Sequence, residues 1–227
     1  MNKLVRTVMA GASALAVAAV AFAGSALAAR TVVVTPSHTH GWYEADVRPG
    51  GAINYINDPS SPYPSGALQL LTDGTTAAKA QYLNKEHGRL SRVRELSYWT
   101  KQVSGPPEAA ASYQLVVDLN GRGTGGFTTF VYEPYWNGTV VPGTWQQWDV
   151  GSGKMWSSST FAEGTCVVAA GAGGPPFYTL AQLQAMCPKA AVLAFGVNDT
   201  TRALLAGAST GNMRLRVDLP RRTRRPS

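Results

Sequence analysis

Short runs of apolar and β-branched residues, separated by clusters of Gly, Pro, Asn and Ser, recur along the chain. They predict strands over 31–35, 52–56, 67–71, 78–83, 95–102, 112–119, 127–132, 144–150, 191–197 and 213–219. The run 112–119 is the clearest of them. Tyr113, Leu115, Val117 and Leu119 share one face and Gln114 and Asp118 the other, the alternation of a sheet with one face on a core and one in water. The glycines of 120–126 predict a hairpin leading into 127–132. A helical pattern stands out once. Thr179-Leu180-Ala181-Gln182 forms a capping box, Leu180, Leu183 and Met186 follow at three-residue spacing, and Pro188 ends the run. The Pro-rich stretches 58–65 and 105–111 read as loops, and 171–176 as a flexible tip. The fold these patterns predict is an all-β, antiparallel β-sandwich with one short helix.

Composition agrees and adds a compartment. The chain has 227 residues, 44% hydrophobic and 15% charged, with 24 Gly and 14 Pro, which excludes a charge-rich disordered protein and argues against a helical bundle. Lys3 and Arg6, the uncharged run 8–22, and the small residues Ala26 and Ala28 form the three parts of a secretory signal peptide over residues 1–28. Gly11, Ser13, Gly24 and Ser25 dilute the run, and no basic stop-transfer cluster follows, so no membrane anchor is expected. Residues 29–220 are then one β-sandwich domain of a secreted protein. Residues 221–227, with Arg221, Arg222, Arg224 and Arg225 between two prolines, read as a disordered basic tail. An exported chain seldom meets nucleic acid, so none is expected as a partner; anionic wall polymer is the alternative for the tail. Cys166 and Cys187 both lie in the exported part and are expected to form a disulfide that staples the short helix to the sandwich.

A resemblance rests on a succession of segments. These are Arg48-Pro49-Gly50-Gly51, Ser65-Gly66-Ala67-Leu68-Gln69-Leu70, Leu96-Ser97-Tyr98 and Phe127-Thr128-Thr129-Phe130-Val131-Tyr132-Glu133-Pro134. Thr144-Trp145-Gln146-Gln147-Trp148-Asp149, Tyr178-Thr179-Leu180-Ala181-Gln182-Leu183 and Phe195-Gly196-Val197-Asn198 complete it. In this order the chain resembles exported bacterial proteins similar to jelly-roll modules of the galactose-binding and concanavalin-like kind. The resemblance covers about 41–198 and implies a jelly-roll sandwich that binds carbohydrate; its motifs are structural and name no chemistry.

The motifs that would carry catalysis fail in context. Gly207-Ala208-Ser209-Thr210-Gly211 fits G-x-S-x-G, but His38, His40 and His87 all precede it and the α/β-hydrolase order that uses this motif needs an acid and then a histidine after the serine, so a loop of small residues is expected. Gly121, Gly123 and Gly126 fit G-x-G-x-x-G, but an aromatic, β-branched run follows where a helix is needed. His38 and His40, with Glu44 or Asp46, lack the spacing of a metal site, and calcium on loop carbonyls with Asp118 would leave no readable motif. No metal and no cofactor are predicted. Glu133 and Asp149 both flank aromatic positions, and a glycan hydrolase or lyase would need such a pair of carboxylates in one cleft.

The strongest local bias is aromatic: Tyr132, Tyr135, Trp136, Trp145, Trp148 and Trp156 lie close together in sequence. Flat rings beside Glu, Asn and Gln suit a sugar, which has apolar faces and polar edges. Trp145 and Trp148 are three apart and face opposite sides of a strand, so one belongs to the core. The expected ligand surface comprises Glu133, Tyr135, Trp136, Gln146 and Trp148, on a secreted non-catalytic module for carbohydrate or cell-surface glycan. The alternatives are a hydrolase or lyase using Glu133 and Asp149, marked by carboxylates converging in a cleft, and a structural or adhesive surface protein, marked by a flat apolar patch or open sheet edge.

Overall fold

The computed structural model describes residues 34–62 and 66–200, with backbone alone at 86 and 87, and the backbone of a strand at 207–212. Two antiparallel sheets form the sandwich. The larger contains β1 (Trp42–Val47), β4 (Lys79–Arg89), β13 (Ala191–Thr200), β6 (Ser112–Asp118), β7 (Phe127–Tyr132), β9 (Met155–Ser157) and β12 (Phe177–Tyr178), side by side in that order. The smaller contains β2 (Gly51–Ile56), β3 (Ala67–Thr72), β14 (Gly207–Asn212), β5 (Ser97–Gln102) and β8 (Gln146–Asp149). A separate hairpin, β10 (Phe161–Glu163) with β11 (Cys166–Val168), carries the first cysteine.

Period-two alternation fills the space between the sheets. Tyr113, Leu115 and Val117 of β6 point inward beside Phe130 and Tyr132 of β7 and Val197 of β13, and meet Leu70, Tyr98 and Trp148 from the smaller sheet. Burying a ring such as Phe130, which has no exposed surface, contributes about 2–3 kcal/mol. Two of the buried rings bond their polar ends, Tyr98 Oη donating to the Ala111 carbonyl at 2.8 Å and Trp148 Nε1 to Thr100 Oγ1 at 2.8 Å, while Tyr113 Oη has no partner among the described residues. Gly196 is required in β13 because a Cβ there would lie 2.1 Å from the Tyr82 carbonyl oxygen of β4. Its absence lets the two longest strands of the sheet close together.

The local predictions fare well. The hairpin after β6 closes through Leu119 N–H to the Gly126 carbonyl at 3.0 Å, and the Asp118 carboxylate accepts from Gly123 N–H at 2.7 Å. The helix α2 (Leu180–Met186) has its capping box at Thr179 and Gln182, and the Cys166–Cys187 disulfide ties its end to β11. A single turn, α1 (Pro134–Asn137), joins it, so the α-helices number two among the described residues, beside 3-10 turns at Leu90–Arg92 and Pro107–Ala109.

Three expectations are corrected. The outer side of β6 is not in water: Gln114, Val116 and Asp118 are all buried, with Val116 packed against Leu83 and Ala194, Gln114 bonded to Ser112, and Asp118 taking the Gly123 amide of the hairpin. The small residues 207–211 form no loop but belong to β14, paired to β3 on one side and β5 on the other. Residues 34–35 form no strand; Thr35 bridges His38. The predicted leader, the predicted strand at 213–219 and the tail at 221–227 lie outside the described residues.

Candidate functional site

The outer, concave face of the larger sheet carries a groove with a volume of about 820 Å³. Its floor is read from the strand register. One continuous row of Cα partners runs Tyr43, Leu83, Gly196, Gln114, Val131, Trp156, one residue from each of six adjacent strands. Side chains in register share a face, so this row puts an aromatic ring at each end, an amide near the middle and no side chain at Gly196. Five interstrand steps of about 4.8 Å make it about 24 Å long.

A parallel row lies on either side. On one side Asp46, Gln81, Asn198 and Ser112 are register partners. The Ser112 hydroxyl donates to the Asn198 carbonyl at 3.0 Å and accepts from Gln114 Nε2 at 3.1 Å, while Asn198 Oδ1 has no hydrogen-bond partner among the described residues. On the other side Lys85, Ala194, Val116 and Thr129 are partners. Leu83, Val116 and Ala194 form a small apolar cluster of their own with Tyr43, Ala45 and Leu193 packed against it, apart from the main core. This cluster is why the groove floor is partly apolar although it faces outward.

The charges are unevenly placed. Arg48 and Lys79 both bond Asp46, at 2.8 and 2.9 Å, and these two cations, Arg48 foremost, hold its carboxyl down at about 2. Glu133, at the opposite end of the groove, accepts from Tyr135 Oη at 2.6 Å. Lys85 lies over the Tyr43 ring with Nζ 5.2 Å from its centroid, and Arg122 lines the groove from the β6–β7 hairpin.

The predicted residues are not all brought together. Glu133 lines the groove. Tyr135 and Trp136 continue from it on α1, with their rings 5.4 Å apart and Trp136 packed edge-on to Phe177 at 5.3 Å. Trp136 is 40% exposed, and its Nε1 donates to the Gly173 carbonyl at 2.9 Å. Gln146 is on the smaller sheet and is engaged by its own loop, accepting from Val141 N–H at 2.7 Å and donating to the Thr139 carbonyl at 2.8 Å. Trp148 faces the core, 6% exposed, with its indole N–H spent on Thr100; it is the core member of the Trp145–Trp148 pair. Gln146 and Trp148 therefore stand apart from the groove, on the opposite sheet.

Sequence reasoning missed Tyr43, Lys85, Gln81 and Asn198 as lining residues, and counted Trp156 only among the aromatics. A period-two pattern was available in Lys79, Gln81, Leu83 and Lys85 of β4, but it gives a face and not a partner. Asp149 ends β8 of the smaller sheet and accepts from Ser152 Oγ at 2.7 Å, so it does not join Glu133 in the groove. The Asp118 carboxylate is used by the hairpin. No group of three or more His, Cys, Asp or Glu suited to a metal ion occurs among the described residues.

No protein-family model matches this chain, and no curated protein matches it. Among solved structures it is similar to the family 11 carbohydrate-binding module from Clostridium thermocellum in complex with a β-1,3-1,4-mixed-linked tetrasaccharide. The identity is 11% over 77% of this chain and 86% of that one, with a TM-score of 0.43. A likeness of this degree carries no weight for ligand or site.

Proposed function

We propose that this chain is a non-catalytic carbohydrate-recognition module that acts outside the cell and holds a glycan chain across the strands of the larger sheet. The observation that carries this reading is the register row from Tyr43 to Trp156, with rings at its ends and a polar row beside it. A pyranose has apolar faces for rings and hydroxyl edges for amides, and the row offers both in sequence. Gln81, Gln114 and Ser112 supply donors and acceptors, and Asn198 Oδ1 is an acceptor with no partner among the described residues. A buried polar atom left unpaired costs about 1–3 kcal/mol, which a rearrangement onto a hydroxyl donor would recover. Glu133, Tyr135 and Trp136 extend the same surface beyond the Trp156 end, as a rim that orients the chain. The predicted leader and the Cys166–Cys187 bridge support a place outside the cell, where disulfides persist.

Glycan-array binding and isothermal titration of the wild type, Tyr43→Ala and Trp156→Ala test the reading, with circular dichroism as the folding control. Stacking losses of about 1–1.5 kcal/mol per ring give roughly ten-fold weaker binding for each variant. Unchanged affinity in both folded variants removes the groove as the site. Release of product from a bound glycan would replace recognition by hydrolysis.

A further inference from the structure

We infer that the groove selects acidic glycans, uronate-containing polysaccharides above all, over neutral ones. The inference rests on the proposed groove reading and adds the ligand's charge.

The two flanking rows are chemically unequal. In the row of Asp46, Gln81, Asn198 and Ser112, the carboxylate is already held by Arg48 and Lys79, leaving amides and hydroxyls for a ligand. In the row of Lys85, Ala194, Val116 and Thr129 there is no carboxylate, and Lys85 forms no ion pair among the described residues. Its ammonium rests on the Tyr43 ring, the same ring that ends the central row. Arg122 enters on this side too, from the hairpin that follows β6. Asp118 lies nearby, but it is buried and its carboxylate takes the Gly123 amide. Four cationic side chains and one carboxylate, Glu133, line the groove, and Glu133 is at the far end of the polar row.

A sugar chain lying along the central row turns its ring substituents toward the two flanking rows. A neutral hydroxyl is served by either. On the polar side Arg48 and Lys79 share the Asp46 carboxylate, whereas the Lys85 row has no carboxylate, and there an ammonium and a guanidinium can each donate charge-assisted hydrogen bonds to a ligand carboxylate. The partly apolar floor formed by Leu83, Val116 and Ala194 lowers the local screening and strengthens such a contact relative to one at an open surface.

The test uses the full chain, with its arginine-rich C-terminal residues intact, against polygalacturonate and a neutral mixed-linkage glucan. Both polymers are compared in affinity electrophoresis and titration at low and high salt. The wild type should prefer the polyuronate by about ten-fold at low salt, the factor that 1.4 kcal/mol represents. The double variant Lys85→Gln/Arg122→Gln, folded by circular dichroism, should lose that preference. Equal binding of the two polymers by the wild type overturns the charge selection and leaves the glycan reading standing. A preference that survives in the double variant also overturns it, because the charge then acts from somewhere other than the Lys85 side, whether from Arg48 and Lys79 or from outside the groove. Binding of neither polymer, nor of any glycan on the array, overturns both.

Discussion

The outer faces of the two sheets obey the same alternation and end differently. On the smaller sheet the outward side chains are engaged by the chain itself. Lys101 of β5 pairs with Asp58 of the loop after β2 and lies over the Trp145 ring at 5.4 Å, and Asn54 bonds Gln69 across β2 and β3 at 3.4 Å. On the larger sheet the outward residues line a groove, with Leu83, Val116 and Ala194 buried under Tyr43, Ala45 and Leu193, and with Asn198 Oδ1 lacking a partner among the described residues. Alternation therefore says which residues point out, while the side chains of neighbouring strands and loop coverage decide whether pointing out means solvent, a loop or a groove.

The comparison can be broken hardest from inside. Trp148 is the smaller sheet's large contribution to the core, so Trp148→Ala should cost about 3–5 kcal/mol in denaturant unfolding, since it opens a cavity and strips Thr100 of its indole donor. Trp136→Ala, at a ring already 40% exposed, should cost about 1 kcal/mol. Comparable losses in the two variants would mean that the two tryptophans are not divided between core and rim as described.

What the sequence made legible was local. The capping box at Thr179, the Gly-rich hairpin after β6 and the inward face of Tyr113, Leu115 and Val117 depend on neighbours within a few residues, and each is as read. The groove depends on register between strands far apart in the chain. Tyr43 and Trp156 meet the same row through four intervening strands, and no local pattern encodes that. Density of aromatics along the chain pointed to Tyr135, Trp136 and Trp148 and held Trp156 without singling it out, and of these Trp148 serves the core from the smaller sheet. Strand β14 escaped notice because its Gly, Ala, Ser and Thr residues give no hydrophobic period. Trp42–Val47 escaped because a bulge between Glu44 and Asp46 breaks its alternation.

A smaller effect sharpens the larger sheet's inner side. Asp199 of β13 is 2% exposed, faces Ala80 in register, and its Oδ2 has no partner among the described residues. Burial alone pushes its carboxyl from 3.8 to about 8. Between those values the folded state holds a proton that the unfolded state has released. Stability is therefore full below pH 4 and falls as pH rises toward 8. Asp199→Asn should remove this slope and be the more stable protein at pH 9, by about 2–3 kcal/mol. Melting temperatures measured from pH 4 to 9 decide it. A wild type that gains stability over this range from the same residue would mean that a cation faces Asp199.

The smallest effect concerns the loop that covers the smaller sheet. Asp58 bonds Lys101 and also accepts from Ser60 N–H and Oγ at 2.9 and 2.7 Å, and the Lys101 ammonium foremost holds its carboxyl at about 2. The sign here is opposite to that of Asp199: the carboxylate's contribution is complete above pH 4 and is lost as pH falls through about 2. Asp58→Asn keeps an oxygen for Ser60 but gives up the ion pair, so at pH 7 it should cost about 1 kcal/mol, the scale of a pair at a protein surface. The gap in melting temperature between wild type and variant should close as the pH is lowered to 2. If it stays constant, the pair adds nothing beyond the hydrogen bonds that Asn retains, and the loop covers this face by packing alone. Glycan binding gives the complementary readout. Because Asp58 and Lys101 lie on the sheet opposite the groove, Asp58→Asn should leave the affinity of the Tyr43 to Trp156 row unchanged at pH 7, and a loss of binding there would place part of the ligand surface on the smaller sheet.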